Sequence, residues 1–269
     1  TAGLRQQKIE VVSMAYGTGA VTSAYEKRRT SPVVGLVVKP LKEISLYTNY
    51  IEGLSQGGTA PSTAANRGEM LTPYVSKQKE AGLKADYGSI RFASAYFTTD
   101  KPRGVTNAAG YYTSEGRDEH QGVEFMAYGQ ALPSLRVLGG LTLLDARQRN
   151  TNNRATEGKR TIGVPTRQAN LGFDWQVPGM AGLSLDTRVI ATGAVYADSA
   201  NTLKVPGWTR VDIGARYLTQ IGGRVVTLRG RIDNVADRSY WASSGGYPDN
   251  GYRVLGAPRT FTLSASVDL

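Results

Sequence analysis

The chain has 269 residues, a formal net charge of +10 and no cysteine. This length allows one large domain or two ordinary ones, and the lack of cysteine excludes disulfide bridges and thiolate metal sites. No stretch approaches the roughly 18 consecutive apolar residues of a membrane-spanning helix, so a helical membrane protein is excluded. The chain begins at Thr1 without a visible signal peptide, and we expect a processed or truncated polypeptide.

The basic excess would suit nucleic acid, an anionic lipid surface or an anionic small ligand. The densest basic patch, residues 26–29, is short. A nucleic-acid-binding protein would be expected to cluster its charge on one element, so we expect no nucleic-acid partner. The chain contains 32 Gly and 15 Tyr but only 5 Phe. This composition favours β structure in which aromatic rings are apolar at one end and contact water at the other.

Apolar and polar residues alternate with a period of two along much of the chain, and this pattern predicts β-strands. In the closing stretch, residues 261–269, the apolar set begins with Phe261 and Leu263, and the polar set with Thr262 and Ser264. In chain order the predicted strands cover residues 3–15, 32–39, 43–53, 73–86, 88–99, 119–130, 134–146, 164–177, 181–195, 206–218, 223–235 and 257–269.

Most of these strands run for about ten residues, the length that a tilted strand needs to cross a bilayer. Tight and long connections alternate between them, and a transmembrane barrel has short periplasmic turns and longer outer loops. The sequence therefore predicts an all-β fold, an antiparallel up-and-down transmembrane β-barrel with about twelve strands and a periplasmic C-terminus. A soluble β-sandwich is the alternative, because its strands also alternate. The predicted long connections are residues 16–31, 54–72, 100–118, 147–163, 196–205 and 236–256.

Four stretches resemble one known family, the TonB-dependent siderophore receptors, and they occur in the family's order. They are LYTNYIEGLSQG (46–57), SKQKEAGLKAD (76–86), GVEFMAYGQALPSLRVLGGLTLLDAR (122–147), and NVADRSYWASSGGY followed by LGAPRTFTLSASVDL (234–247 and 255–269). The last pair is similar to the family's C-terminal signature through Asn234, Asp237, Arg238, Tyr240, Trp241, Gly256, Pro258 and Arg259.

The resemblance implies a receptor in the outer membrane of a Gram-negative bacterium that imports ferric siderophores with energy from the TonB complex. Family barrels have 22 strands around an N-terminal plug. We therefore expect residues 1–269 to be the C-terminal portion of such a barrel, with the plug domain and the TonB box outside this chain. The family usually ends in Phe, whereas this chain ends in Leu269.

Twelve strands would leave two sheet edges, which cannot stay bare in lipid. The edges could close on each other, pair with an absent segment or pair with a second copy. Two other functions also remain open at this point: a passive porin-like channel and a soluble β-rich binding domain.

A ferric siderophore would be held by aromatic rings and by basic groups near its oxygens. Rings at strand ends also form the girdles at membrane interfaces, so each ring has a structural alternative. The candidate ligand-binding residues are Tyr111, Tyr112, Tyr240, Trp241, Tyr247, Tyr252 and Arg253.

Charged residues of two neighbouring strands should face each other across the lumen-lining side of the sheet. This set consists of Arg210, Asp212, Arg216, Arg229, Arg231 and Asp233. The lone histidine, His120, makes a poor metal site by itself. We expect no enzyme activity, no protein-bound metal and no cofactor, because iron would arrive inside the siderophore.

Overall fold

The computed structural model describes residues 1–245 and 251–268, and every element in this part of the chain is a β-strand. The strands are β1 (Ala2–Met14), β2 (Val21–Leu41), β3 (Ile44–Ser55), β4 (Tyr74–Tyr87), β5 (Ile90–Thr106), β6 (Tyr112–Leu132), β7 (Leu135–Arg149), β8 (Arg167–Gln176), β9 (Leu183–Thr192), β10 (Val195–Tyr196), β11 (Lys204–Val205), β12 (Trp208–Ile221), β13 (Arg224–Asp233), β14 (Trp241–Gly245), β15 (Tyr252–Leu255) and β16 (Thr260–Val267).

Twelve of these strands form a single antiparallel sheet. Each pairs with its neighbour in the chain, in the order β1 to β9, then β12, β13 and β16. The two remaining pairs, β10 with β11 and β14 with β15, are small hairpins inside connections. The predicted number of strands and the antiparallel, up-and-down order are therefore confirmed.

Two predicted loops are wrong in extent. Residues 16–31 and 100–118 were expected to be loops, but β2 begins at Val21 and β5 and β6 are joined by residues 107–111 alone. Strand pairing depends on backbone hydrogen bonds and continues where the apolar alternation stops. As a result, these two connections are about as short as the longest connection at the opposite end of the sheet. Short and long connections therefore alternate less strictly than predicted.

The two ends of the sheet still differ clearly. One end carries the connections 56–73, 150–166, 193–207 and 234–259, and we call it the loop end; the opposite end is the turn end. At the turn end, Gly222 and Gly223 join β12 to β13 with φ values of +59° and +81°. A two-residue turn with both φ values positive matches the twist of a hairpin and favours glycine, which explains why the connection can be so short.

The two faces of the sheet have opposite chemistry. The apolar face exposes its large side chains, with Phe261 69% and Leu263 88% exposed, whereas Asp212 on the other face is fully buried. A soluble sandwich would bury the apolar rows between two sheets, so that alternative is excluded. The apolar face includes Leu46, Leu83, Phe92, Phe125, Leu141, Leu171, Ile213, Leu228 and Leu263. No helix in the described ranges is long and apolar enough to cross a membrane.

Strands β1 and β16 are the edges of the sheet within the described residues. Strand β1 pairs with β2 only as far as Val34, and the Gly35 N–H donates to the Thr1 carbonyl at 2.8 Å. Toward the turn end, residues 36–41 of β2 have β3 as their sheet partner. Among the described residues the sheet is therefore open, with no pairing between β1 and β16.

Candidate functional site

A buried carboxylate organises the loop end of β12 and β13. Asp212 is 0% exposed and accepts hydrogen bonds from Arg210 Nη2 at 2.9 Å and from the Asn234 N–H at 2.9 Å. Arg231 Nη2 lies 3.5 Å from the same carboxylate. A buried charge is tolerated only when it is paired and hydrogen-bonded, and this arrangement meets both conditions. Asp212 therefore ties two strands to the start of the last long connection.

Asn234 turns the chain out of β13. Its φ is +54°, a left-handed conformation that asparagine tolerates better than most residues. Its side chain donates to the carbonyls of Arg238 at 2.9 Å and Ala257 at 3.1 Å, and accepts from the Arg238 N–H at 2.9 Å. The first and last parts of the connection 234–259 are thus held together by one amide.

A pair of aromatic rings packs next to this group of polar side chains. The rings of Trp208 and Tyr240 lie 4.4 Å apart with an interplanar angle of 36°. The Tyr240 hydroxyl accepts a hydrogen bond from Arg210 Nη1 at 3.2 Å, and Tyr240 is only 9% exposed. Trp208, Tyr240, Arg210 and Asp212 therefore form one packed group at the loop end, in which Tyr240 is largely covered.

The hairpin formed by β14 and β15 carries the next candidates. The Arg253 guanidinium lies 5.1 Å from the centre of the Trp241 ring, a cation–π distance. Tyr252 is 59% exposed. These three side chains offer ring surface and positive charge to the solvent at the loop end. Tyr247 lies outside the described residues.

Tyr111 and Tyr112 belong to a different part of the loop end, where the connection 107–111 meets the start of β6. Tyr111 is 52% exposed, whereas Tyr112 is 6% exposed and packs with Ala60 and Ala64 of the connection 56–73. The Tyr112 N–H donates to Asn66 Oδ1 at 2.8 Å. Tyr112 thus holds this connection against the sheet, and Tyr111 is the more accessible of the two rings. Ligand binding by all seven candidate residues stays a prediction.

The predicted charged ladder shares the face opposite the apolar rows. Arg216 is directly opposite Arg229, and Arg231 is opposite Gly214, where the Asp186 carboxylate occupies the place that a side chain would take. Arg231 Nε donates to Asp233 at 2.7 Å. The ladder extends one strand further than predicted, because Arg231 Nη1 lies 3.4 Å from Asp186 of β9. Lumen lining by this set is likewise a prediction.

Two long connections are joined through the side chain of Gln148, which is 0% exposed. Its Oε1 accepts from Arg103 Nη1 at 2.7 Å, and its Nε2 donates to the carbonyls of Arg160 at 2.9 Å and Ser199 at 2.8 Å. Asn201 adds a second link, since its Oδ1 accepts from the Arg160 N–H at 2.7 Å. The connections 150–166 and 193–207 are therefore held in one arrangement.

Carboxylates also fix the backbone within these connections. The Thr151 N–H donates to Glu157 at 2.9 Å, and this bond holds the pKa of Glu157 below its usual value. Slight desolvation opposes the effect, and the hydrogen bond from the Thr151 hydroxyl adds to it. Slight burial would raise the pKa of Asp198, but the N–H groups of Thr202 and Leu203 outweigh it and lower that pKa. Both charges thus stabilise local turns.

His120 lies near a buried acid. Asp118 is 8% exposed, 3.7 Å from Arg103 Nη1, and it accepts from the Thr161 hydroxyl at 3.4 Å. His120 Nε2 is buried and has no hydrogen-bond partner. Across residues 1–245 and 251–268, no group of three or more His, Asp or Glu side chains could hold a metal ion.

Sequence reasoning missed the residues that join the connections. Gln148 and Asn201 lie in segments read as polar loops, and no spacing in the sequence marks them as partners. Asp186 could have been included, since it shares its face with Arg188 and Ser184 in the alternating pattern of β9. Asn234 was used only as part of a motif, and its role in closing the last connection required the structure.

The chain matches the family model described as TonB dependent receptor-like, beta-barrel, over residues 1–235. It is 32% identical over 276 aligned residues to the ferrichrome receptor FcuA of Yersinia enterocolitica, covering 99% of this chain and 36% of FcuA. It is 29% identical to the ferrioxamine B receptor of Salmonella typhimurium, over 77% of this chain and 30% of that receptor. The chain thus spans about a third of the length of these relatives.

Solved structures agree with the sequence relatives. The structure of BauA, the ferric preacinetobactin receptor of Acinetobacter baumannii, superimposes with a TM-score of 0.84 and 34% identity, covering 100% of this chain and 40% of BauA. The family model covers most of the chain, and the alternation of an apolar face with a charged face fits a membrane-embedded wall. The chain belongs to the TonB-dependent receptors, and its sheet is part of their outer-membrane β-barrel fold.

Proposed function

We propose that this chain is the C-terminal barrel portion of an outer-membrane receptor that binds ferric siderophores and imports them with energy from the TonB complex. The observation that carries the proposal is similarity along the whole chain to FcuA and BauA, which are named as ferrichrome and ferric preacinetobactin receptors. A passive channel is not favoured, because these relatives are receptors. Neither catalysis nor a resident cofactor is part of the proposal, and iron is cargo within its chelate.

The open sheet supports the proposed division of the receptor. The edges at β16 and at residues 36–41 of β2 carry backbone groups that need partners in hydrocarbon. In the proposal, further strands of the same receptor pair with these edges. The plug and the TonB box also belong to the rest of that receptor, and the 22-strand count stays a prediction from the family resemblance.

The loop end supplies the proposed contacts with the siderophore. Trp241, Tyr252 and Arg253 are partly or fully accessible, and Tyr111 is exposed in the connection between β5 and β6, in a different part of the loop end. The packed pair of Trp208 and Tyr240 supports this surface from below. Rings supply contact area with little loss of side-chain entropy, and arginine supplies charge-assisted hydrogen bonds to chelate oxygens.

Binding and uptake by the complete receptor test the proposal. Purified receptor is titrated with ferrichrome, ferrioxamine B and a ferric catecholate, and uptake of radioactive iron is compared with and without TonB. We expect saturable binding of at least one chelate and TonB-dependent uptake. Trp241→Ala should weaken binding about tenfold, the loss expected for removing one well-packed aromatic anchor, whereas Trp241→Phe should retain most affinity. Absence of affinity for every ferric chelate would refute the proposal.

A further inference from the structure

A cavity lies at the turn end of β8, β9 and β12, on the same face of the sheet as the charged ladder. Its volume is about 610 Å³, which is within the range of small-molecule sites, about 300–1,000 Å³. Its strand lining consists of Gln176, Ser184, Arg216 and Leu218. These residues share one face, because Gln176 is opposite Ser184 and Ser184 is opposite Arg216, and Leu218 follows two positions later. The cavity therefore opens toward the interior of the proposed barrel.

The connection between β8 and β9 forms one wall of this cavity. It spans residues 177–182, whereas the other connections at the turn end have two residues each. Its position over β12 is fixed, because the Leu218 N–H donates to the Gly182 carbonyl at 2.9 Å and a Cβ at Gly182 would collide with the Leu218 carbonyl. Met180 and Leu218 are 59% and 42% exposed. The cavity therefore offers apolar surface to an occupant.

Two arginines face each other at this cavity. Arg216 lines it and lies directly opposite Arg229 of β13, and like charges directly opposite each other in a sheet are destabilising. Within the described ranges, Arg229 forms no ion pair with a carboxylate, and the only ion pair of Arg216, with Asp174, spans 3.8 Å. Arg216 Nε is buried and has no hydrogen-bond partner. The arginine pair therefore carries positive charge and donor capacity that the chain itself does not satisfy.

The guanidinium groups of the same two strands nearer to the loop end are already neutralised. Arg210 Nη2 lies 2.9 Å from Asp212, and three carboxylates lie 2.7–3.5 Å from the guanidinium nitrogens of Arg231. Arg216 follows Arg210 by six residues along β12, which corresponds to about 20 Å. On β12 and β13 the unpaired positive charge is therefore at the turn end, far from the proposed siderophore contacts at the loop end.

We propose that the arginine pair and the cavity form a transit site, which binds a ferric chelate of net negative charge on its way from the loop end to the turn end. This inference rests on the proposed function. Oxygen atoms of the chelate accept charge-assisted hydrogen bonds from Arg216 and Arg229, and their negative charge offsets the repulsion between the two guanidinium groups. The organic part of the chelate lies against Met180 and Leu218. The site thus favours anionic chelates, such as ferric tris-catecholates, over neutral ferric trihydroxamates.

The test is uptake of radioactive iron by cells that carry the complete receptor and an active TonB complex. Iron is supplied as ferric enterobactin or ferric citrate, which are anionic, or as ferrichrome, which is neutral. Equilibrium binding of the same chelates to the purified receptor, which requires no transit, is measured in parallel. The key variant is Arg216→Gln with Arg229→Gln. The matched control is Lys84→Gln with Arg136→Gln, which removes two exposed cations from the same face on β4 and β7.

We expect the key variant to take up anionic chelates at least about tenfold more slowly at saturating ligand, the loss that follows from one charge-assisted contact. Its binding of these chelates and any uptake of ferrichrome should stay within about twofold of the parent receptor, as should both activities of the control. Arg229→Glu should reproduce the slow uptake, because its carboxylate takes the place of the chelate beside Arg216.

Three results would overturn the transit site alone: unchanged uptake by the key variant, an equal loss in binding or in ferrichrome uptake, and uptake of ferrichrome but no anionic chelate by the parent receptor. Absence of uptake of every chelate by the parent receptor would refute the proposed function and the transit site together.

Discussion

Replacement of Asp212 by alanine should destabilise the loop end of the barrel more than any other single aspartate change on that face. The alanine leaves the Asn234 N–H buried without an acceptor, because Asn234 is only 1% exposed. An unsatisfied buried donor costs about 1–3 kcal/mol. The Arg210 side chain, 22% exposed, also loses its charge-assisted bond but keeps the Tyr240 hydroxyl. Such a bond is worth about 1.5–3 kcal/mol.

The contribution of Arg231 is small, because its side chain is 37% exposed and it keeps its contacts with Asp233 and Asp186. The expected loss in free energy of unfolding for Asp212→Ala is therefore about 3–5 kcal/mol, as for breaking one side of a buried ion pair. Asp212→Asn retains an oxygen for the Asn234 N–H and should lose about half as much.

The measurement is unfolding of the complete receptor in detergent by guanidinium chloride, followed by tryptophan fluorescence. Asp174→Ala serves as the matched control, since Asp174 is 37% exposed and its ion pair with Arg216 spans 3.8 Å; we expect a loss below about 1 kcal/mol. If Asp212→Ala and Asp174→Ala shift the transition equally, the argument from buried pairing is wrong. If Asp212→Asn is as damaging as alanine, the charge rather than the N–H acceptor dominates.

Three further predictions concern the connections at the loop end. Gln148→Leu should speed hydrogen exchange in both joined connections, and protection equal to the parent receptor would contradict the joining role. Gly163→Ala should displace the adjacent backbone, because Gly163 has a φ of +72° and a Cβ would collide with the Ser244 carbonyl; normal protease resistance there would argue against this contact. The lowered pKa of Glu157 stabilises its turn at neutral pH, and the stabilisation should disappear as pH falls from about 4 through the folded-state pKa. Hydrogen exchange of the Thr151 amide, corrected for its intrinsic rate, should become faster over this pH range in the parent receptor. It should not do so in Glu157→Gln.

The sequence was sufficient to predict the strands and their faces, because alternation over about ten residues leaves one interpretation for each strand. Ile213 and Leu228 were assigned to one face and Arg216 and Arg229 to the other, and the register agrees. The loop-end boundaries could not be predicted in the same way. Strand pairing there continues through polar residues such as Lys27 and Arg28 of β2, for which alternation gives no signal.

For the candidate site, the sequence predicted which types of residue take part but not how they pack. Tyr240 and Tyr112 were found by residue type, but their burial depends on contacts with Trp208 and Ala60 that are distant in the chain. Gln148 was missed for the same reason, since each of its partners is more than ten residues away. Local patterns indicate which face a side chain occupies, whereas its partners across a loop depend on the assembled fold.

The unbroken neighbour-to-neighbour order of the sheet has a kinetic consequence. Strand pairs joined by two residues, such as β4 with β5 and β12 with β13, have low contact order, and closing such short loops costs little chain entropy. Pairing across the four long connections, 56–73, 150–166, 193–207 and 234–259, requires closure of much longer segments. Assembly should therefore proceed from rapidly formed hairpins, with these four junctions as the slow steps.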